Sequence, residues 1–204
     1  MSDIRHIVFD LGMVLLEWDP ERPYRRLIPD DAARRHFLTH VCNPAWNNEQ
    51  DRGRTWQEAE DLLIAEHPQH EAMIRAYREN WTEMLPSAFE DVLAIRDALM
   101  AKGYDVTALT NFAADTFEEA REMYPFLDDF RGVTVSGRIK VMKPERAIFD
   151  HHAETFGLAP PSSILFFDDN AANVAGARAA GWNAEQFTGA DKMRADLARY
   201  GIAV

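Results

Sequence analysis

The most constraining stretch lies at the start of the chain, where Arg5-His6-Ile7-Val8-Phe9 runs into Asp10-Leu11-Gly12. Ile7, Val8 and Phe9 are β-branched or aromatic and unbroken by polar residues, the pattern of a short strand buried on both faces of a parallel sheet. An aspartate then stands where that strand should end, with a glycine two residues on. In open α/β sheets, ligands collect just beyond the carboxyl ends of the strands. A carboxylate delivered there can serve as a nucleophile, a metal ligand, or both. Taken alone, the same residues also suit an ordinary turn, and the later segments decide between these readings.

At 204 residues the chain suits one large domain, or one domain carrying a smaller insert. No apolar run approaches the roughly 18 residues needed to span a bilayer. The first residues lack the basic and apolar regions of a signal peptide. Cys42 is the only cysteine, which rules out an intrachain disulfide or a cysteine metal site. A cytoplasmic location is the expectation. The net charge of −12 argues against nucleic acid and anionic membranes as general partners. It also requires local positive charge wherever an anionic substrate enters. No sequence feature sets the oligomeric state.

Beyond Glu17 the β-like character disappears until about Pro86. Asp30 or Asp31 can cap a helix running to about Cys42. Thr55-Trp56-Gln57-Glu58 is a capping box opening a helix to about Glu66. From about His70 to Met84, Met73, Ile74, Tyr77, Trp81 and Met84 are spaced to share one helical face. These features predict an all-helical insert over residues 17–86, between core segments 1–16 and 87–204. Trp46, Trp56 and Trp81 are read mainly as insert core, and Arg22, Arg52 and Arg54 as solvated surface.

Strand-helix alternation then resumes. Ser87-Ala88-Phe89-Glu90 reads as a second capping box, and Gly103 closes its helix. A strand from Val106 to Leu109 ends in Thr110-Asn111, and a helix follows to about Met123. Gly132 to Ser136 reads as a third strand, and Lys143-Pro144 as the opening of a helix with proline near its first position. Ser163-Ile164-Leu165-Phe166-Phe167 is the most apolar strand and runs straight into Asp168-Asp169. A helix from Ala171 to about Ala180, a last strand from Ala184 to Phe187 and a C-terminal helix complete the chain. The predicted fold is α/β, a doubly wound parallel sheet.

Asp10, Thr110-Asn111 and Asp168-Asp169 all follow predicted strands, and right-handed crossovers bring such strand ends to one edge of the sheet. Three carboxylates gathered in one cleft oppose one another's ionisation. A hard, oxygen-seeking cation and a fixed ammonium relieve that repulsion. Mg²⁺ suits carboxylate, carbonyl and phosphate oxygens, and Lys143 can supply the ammonium. The histidines show no zinc-like spacing and are read as structural or surface.

Phe9-Asp10-Leu11-Gly12, Leu109-Thr110-Asn111, Lys143-Pro144 and Phe167-Asp168-Asp169 with Asn173 and Gly176-Ala177 resemble, in order, the four motifs of the haloacid dehalogenase-like (HAD) hydrolases. The resemblance spans essentially the whole chain and makes the helical insert a small cap domain on a Rossmann-like core. The opening and closing motifs look nearest to the sugar-phosphate phosphatases of that family, which include α-D-glucose-1-phosphate phosphatases. The resemblance implies a Mg²⁺-dependent phosphatase acting on a small phosphorylated metabolite, a sugar phosphate among the candidates. It makes Asp10 the nucleophile, and Lys143 the residue that neutralises charge and orients it. Thr110 and Asn111 would bind the phosphoryl group, with Lys143 and free backbone N–H groups after Asp10. Asp10, the Gly12 carbonyl and Asp169 would hold the metal, with Asp168 bound directly or through a water.

One position departs from the pattern. Most phosphatases of the family carry a second aspartate two residues after the nucleophile, as general acid and base; here Gly12 stands there. Such help is worth about 10²–10⁴ in rate. Either the leaving group departs unaided, another group such as Glu17 or a cap residue substitutes, or the protein is slow. Two alternatives therefore accompany the phosphatase reading: a metal-free 2-haloacid dehalogenase, against which Asp168-Asp169 speaks, and a catalytically weak scaffold.

Overall fold

The computed structural model describes residues 3–204. Strands β1 (His6–Phe9), β2 (Asp105–Thr110), β3 (Val133–Val135), β4 (Ile164–Asp168) and β5 (Asn183–Gln186) form one sheet in the order β3-β2-β1-β4-β5. Every neighbouring pair is parallel. The chain steps outward from β1 to β3 and then returns to build the other side. The strand order thus reverses between β1 and β4, the place where open α/β sheets form a crevice. Register does the rest. Phe9 lies opposite Ala108 on one side and Phe167 on the other. Asp10 and Asp168 therefore leave adjacent strands at one level, and Thr110 stands one residue farther along its own strand.

The uninterrupted apolar runs of β1 and β4 follow from burial on both faces. Ile7, Phe9, Val106, Leu165 and Phe167 join a large cluster that continues into the insert. Val8, Leu109 and Phe166 pack on the opposite side with Ile148, Phe149, Val174 and Trp182. Each such large side chain contributes roughly 1.5–3 kcal/mol on burial.

Between β1 and β2 the chain is helical, as its composition predicts. It forms α1 (Glu21–Leu27), α2 (Asp31–His40), α3 (Pro44–Asp51), α4 (Trp56–Glu66) and α5 (Glu71–Glu79), with 3₁₀ turns at Pro68–His70 and Trp81–Met84. Asp30 accepts the Ala33 N–H at 2.8 Å and Thr55 accepts that of Glu58 at 3.3 Å, so both anticipated caps form. The helix predicted over 70–84 stops at Asn80, whose side chain turns back to donate to the Ala76 carbonyl at 2.8 Å. Its apolar face persists across the break, with Ile74, Tyr77, Trp81 and Met84 buried. Trp46 and Trp56 meet Tyr77 at centroid separations of 5.2 and 6.0 Å, which makes them insert core.

After the insert come α6 (Glu90–Ala101), α7 (Ala114–Met123), α8 (Ser136–Ile139), α9 (Arg146–Phe156), α10 (Ala171–Ala179) and α11 (Ala190–Arg199). Three local expectations change. Ser87 does not cap α6; its hydroxyl donates to Glu17 at 2.8 Å. Residues 87–89 instead run beside 15–17, with Glu17 N–H donating to Ser87 O and Phe89 N–H to Leu15 O, each at 2.9 Å. The strand expected to reach Ser136 ends at Val135, because Ser136 turns into α8 and bonds the Phe112 N–H at 2.9 Å. The helix after Lys143 begins only at Arg146. There Glu145 N–H closes a turn onto the Met142 carbonyl at 2.9 Å, and that turn leaves Lys143 to point inward. No helix among the described residues is long and apolar enough to cross a membrane.

Candidate active site

At the carboxyl edge of β1 and β4, the Lys143 ammonium lies 2.7 Å from Asp10 Oδ1 and 2.7 Å from Asp168 Oδ2. All three side chains are buried, and the ammonium also sits 5.4 Å from the centroid of the Phe166 ring. Burial pushes the Asp10 carboxyl well above the usual carboxylate range; Lys143 opposes this, while Asp168 and Asp169 add to it. For Lys143, burial favours the neutral amine, yet Asp10 and Asp168 outweigh it and raise the pKa above the ordinary lysine value. Asp169, half-exposed, is raised by burial and by the neighbouring Asp168.

Asp10, Asp168 and Asp169 each offer a carboxylate oxygen, all within 4.8 Å of one another. Three carboxylates face one ammonium, a surplus of negative charge that a divalent cation with oxygen ligands fits. The three carboxylates are not equivalent. Asp168 accepts from Lys143 Nζ, from Asn173 Nδ2 at 3.0 and 3.1 Å, and from the Asn170 N–H at 2.8 Å. Asp169 stands at the mouth. Asp168 does not cap the next helix; Asn170 does, accepting the Ala172 N–H at 2.8 Å.

Thr110 and Asn111 arrive at the same edge from β2, but the Asn111 amide is engaged. It donates to the Lys143 carbonyl at 3.0 Å and accepts the Lys143 N–H at 2.9 Å, so it holds the lysine backbone in place. Gly176 of α10 lets that helix approach the same segment. A Cβ there would lie 2.7 Å from the Pro144 carbonyl oxygen. After Asp10 the chain folds into a tight loop that consumes its own donors. Leu11 N–H bonds Asp10 Oδ1 at 2.8 Å and Met13 N–H bonds the Leu16 carbonyl at 2.7 Å. Those two N–H groups are therefore committed within the loop.

A cavity of about 310 Å³ opens between this edge and the helical insert. Gly12, Asn111 and Asp169 form its floor side, and Leu38, Tyr77 and Trp81 are among the insert residues that wall it. No lysine or arginine lines it. Gly12 has open space where a side chain would be, with nothing within 4 Å of a Cβ. Glu17, the acid named from the sequence, is tied to Ser87 instead.

The wall also carries a carboxylate that sequence reasoning passed over. Asp51 ends α3 and lines the cavity. Burial lifts its carboxyl from 3.8 to about 7, the Ala113 backbone N–H opposing the rise. The local signal was present, since Asn43 caps α3 at 2.9 Å and Pro44 opens it. Of the arginines, Arg52 pairs with Glu145 at 2.6 Å and Arg54 donates to Gln50 at 2.8 Å. His152 is a core residue: it lies between the Thr107 and Thr134 hydroxyls at 2.9 and 2.8 Å.

A family described as haloacid dehalogenase-like hydrolase matches residues 4–181. The chain is 24% identical over 178 residues to the sesquiterpene phosphatase astK of Aspergillus oryzae, covering 85% of each protein. Among solved structures, it resembles the HAD-family enzyme bt-2542 of Bacteroides thetaiotaomicron in complex with magnesium and inorganic phosphate. That likeness has a TM-score of 0.69 and 23% identity over 91% of this chain and 94% of that one. L-2-haloacid dehalogenase from Xanthobacter autotrophicus, with chloropropionic acid covalently bound, has a TM-score of 0.67 and 17% identity over 98% and 85%. At these identities the solved structures speak to the fold alone.

Proposed function

The chain belongs to the haloacid dehalogenase-like hydrolases, and from that premise we propose that it is a Mg²⁺-dependent phosphatase of a small phosphorylated metabolite, working through an aspartyl-phosphate on Asp10. The observation that carries this reading is the Asp10, Asp168 and Asp169 cluster, with Asp10 and Asp168 paired to one buried ammonium. A dehalogenase displacing halide without a metal gains nothing from two further carboxylates, which repel an anionic haloacid. A metal-dependent phosphoryl transfer uses them.

In this reading Asp10, the Gly12 carbonyl and Asp169 hold Mg²⁺. Asp168, whose oxygens accept from Lys143, Asn173 and the Asn170 N–H, would support the ion directly or through a water. When bound, Mg²⁺ neutralises phosphoryl oxygens as a Lewis acid. Asp10 attacks phosphorus in line, the ester oxygen departs, and water later hydrolyses the acyl phosphate, which splits one hard step into two. Lys143 holds Asp10 in orientation and offsets charge on the phosphoryl oxygens, an arrangement fixed before the reaction begins. Asn111 keeps Lys143 in place, while the Thr110 hydroxyl donates to the phosphoryl group.

The core is residues 1–16 and 87–204 and the cap is 17–86, with the paired strands of chain at 15–17 and 87–89 as the hinge between them. The cap selects the substrate. Trp18, Leu38, Tyr77, Trp81, Leu85 and Phe112 give the cavity an apolar and aromatic lining, which suits an uncharged, apolar-bodied alcohol better than a polyol. The likeness to a sesquiterpene phosphatase agrees with this, and sugar phosphates remain the comparison class. The lone Cys42 and the net charge of −12 accord with a cytoplasmic setting.

The deciding experiment measures phosphate release from prenyl, sugar, aryl and acyl phosphates, with Mg²⁺ and with EDTA. Mg²⁺-dependent turnover, absent in Asp10→Asn, is expected. Halide release from 2-haloacids unaffected by EDTA would overturn the reading.

A further inference from the structure

The phosphatase reading leaves the ester oxygen without a proton donor, because Gly12 has no side chain beside Asp10. We infer that Asp51 of the cap is that donor, the acid that protonates the leaving-group oxygen and then the base that activates water. The inference rests on the phosphatase reading and adds the residue that completes it. In the first step an Asp10 oxygen bonds phosphorus, the phosphorus–ester oxygen bond breaks, and the Asp51 proton passes to that oxygen to give the free alcohol. In the second, Asp51 carboxylate takes a proton from water as its oxygen bonds phosphorus. The Asp10–phosphorus bond then breaks, so that phosphate leaves, Asp10 returns as carboxylate and Asp51 as carboxylic acid.

Three observations place Asp51 for this work. It lines the same cavity as Gly12, Asn111 and Asp169, and the space beside Gly12 is open. Although it belongs to the cap, it is fastened to the core. Its backbone carbonyl accepts the Ser136 hydroxyl at 2.5 Å, and the Ala113 N–H, two residues beyond Asn111, acts on its carboxyl to oppose the rise caused by burial. Asn47, one turn earlier on α3, donates to Oδ2 at 3.2 Å. These contacts hold a carboxyl group at the cavity that Gly12 and Asp169 also line.

Burial keeps a large share of it protonated near neutrality. Tyr77 of α5 feels the Asp51 charge, with Cys42 beside the same tyrosine. Asp169 shares the cavity. The arginines that follow it closely in sequence are engaged elsewhere, Arg52 with Glu145 and Arg54 with Gln50 and the Trp46 carbonyl. An acid poised at about 7 sits near the operating pH, where general acid–base transfer is most effective.

The test is leaving-group dependence. Asp51→Asn should lower kcat on an alkyl phosphate by about 10²–10⁴-fold. On acetyl phosphate and p-nitrophenyl phosphate, whose leaving groups depart as anions, the first step should be unaffected. Asp51→Glu should retain much of the alkyl activity. Gly12→Asp in the Asp51→Asn background should restore part of it, since the site at Gly12 is open. In the wild type, kcat/KM for the alkyl ester should fall above about pH 7 relative to p-nitrophenyl phosphate, a readout that needs no variant to fold. Equal losses of kcat/KM, which reports the first step, on every substrate, or none, with parallel pH profiles, would overturn the role of Asp51 as acid. Absence of Mg²⁺-dependent turnover in the wild type on acetyl phosphate would instead sink the phosphatase reading itself.

Discussion

The two walls of the cavity are built on opposite principles. The sheet edge concentrates charge: Asp10, Lys143 and Asp168 are buried together and satisfied by Asn111, Asn170 and Asn173. The cap wall is mostly aromatic and aliphatic, with Asp51 as its one acidic group at the cavity. A buried charge network tolerates almost no change, because removing one partner strands the others in a low dielectric. An apolar wall accepts volume-conserving change at little cost. In the phosphatase reading this becomes a division of labour: the sheet edge would set what is done to the phosphorus, and the cap which alcohol carries it.

The largest expected effect breaks the edge directly. Asp10→Asn should reduce turnover to background, a loss of about 10⁴-fold or more, while Mg²⁺-dependent phosphate binding persists by calorimetry. Activity near wild type would remove Asp10 as nucleophile. Next comes Lys143→Met, which leaves Asp10 and Asp168 facing each other without their shared ammonium. Urea unfolding should show a loss of about 3–5 kcal/mol; an unchanged midpoint would mean that the carboxylates are held by other means.

Gly176→Ala probes the same edge from behind. Its Cβ would meet Pro144 backbone oxygen at 2.7 Å, so the Lys143 segment must move, at a cost of about 1–3 kcal/mol and with a fall in kcat. Gly12→Ala, placed in open space, serves as the control and should leave stability almost untouched. On the cap side, Trp81→Phe should shift relative kcat/KM among substrates by about tenfold while acetyl phosphate turnover holds. A uniform change across substrates would argue that the cap does not select.

The smallest effects concern pH, and here the two sides oppose each other in sign. Asp51 has its folded pKa raised from 3.8 to about 7. Its stabilising contribution is therefore full below about pH 4 and is lost as pH rises through 7. His152, buried and lowered from 6.5 to about 3, contributes above pH 6.5 and loses that contribution as pH falls through 3. Asp51→Asn should remove a decline of the unfolding free energy as pH rises from about 4 to 7, and His152→Gln a decline as pH falls from 6.5 to about 3. Unchanged slopes would show that neither group titrates as its environment dictates.

Asp10, Thr110 and Asp168 were legible because each sits where a readable strand ends, whereas Lys143 precedes its helix by a turn that the sequence did not show. An apolar run stopping at Asp10 or at Asp168 announces both the strand and its terminal group. The caps at Asp30 and Thr55 were legible because N-capping is a contact between residues three apart. Ser87 misled for the complementary reason. Its capping-box pattern competes with a long-range partner, Glu17, and the pairing of 15–17 with 87–89 won. Asn111 was legible as a polar residue at a strand end, but its grip on Lys143 crosses 32 positions and left no trace in either segment.

By itself, then, the sequence determined the strands, the helical insert, the order of the motifs and the presence of too much negative charge for one lysine to balance. These follow from periodicity, capping and composition, which act over a few residues. Only the tertiary structure decided which carboxylate is spoken for, which donors the loop after Asp10 keeps for itself, and that Asp51 stands in the cavity. Each of those depends on sheet register or on the docking of the cap. Contacts between segments tens of residues apart are set by packing, and no local pattern encodes them.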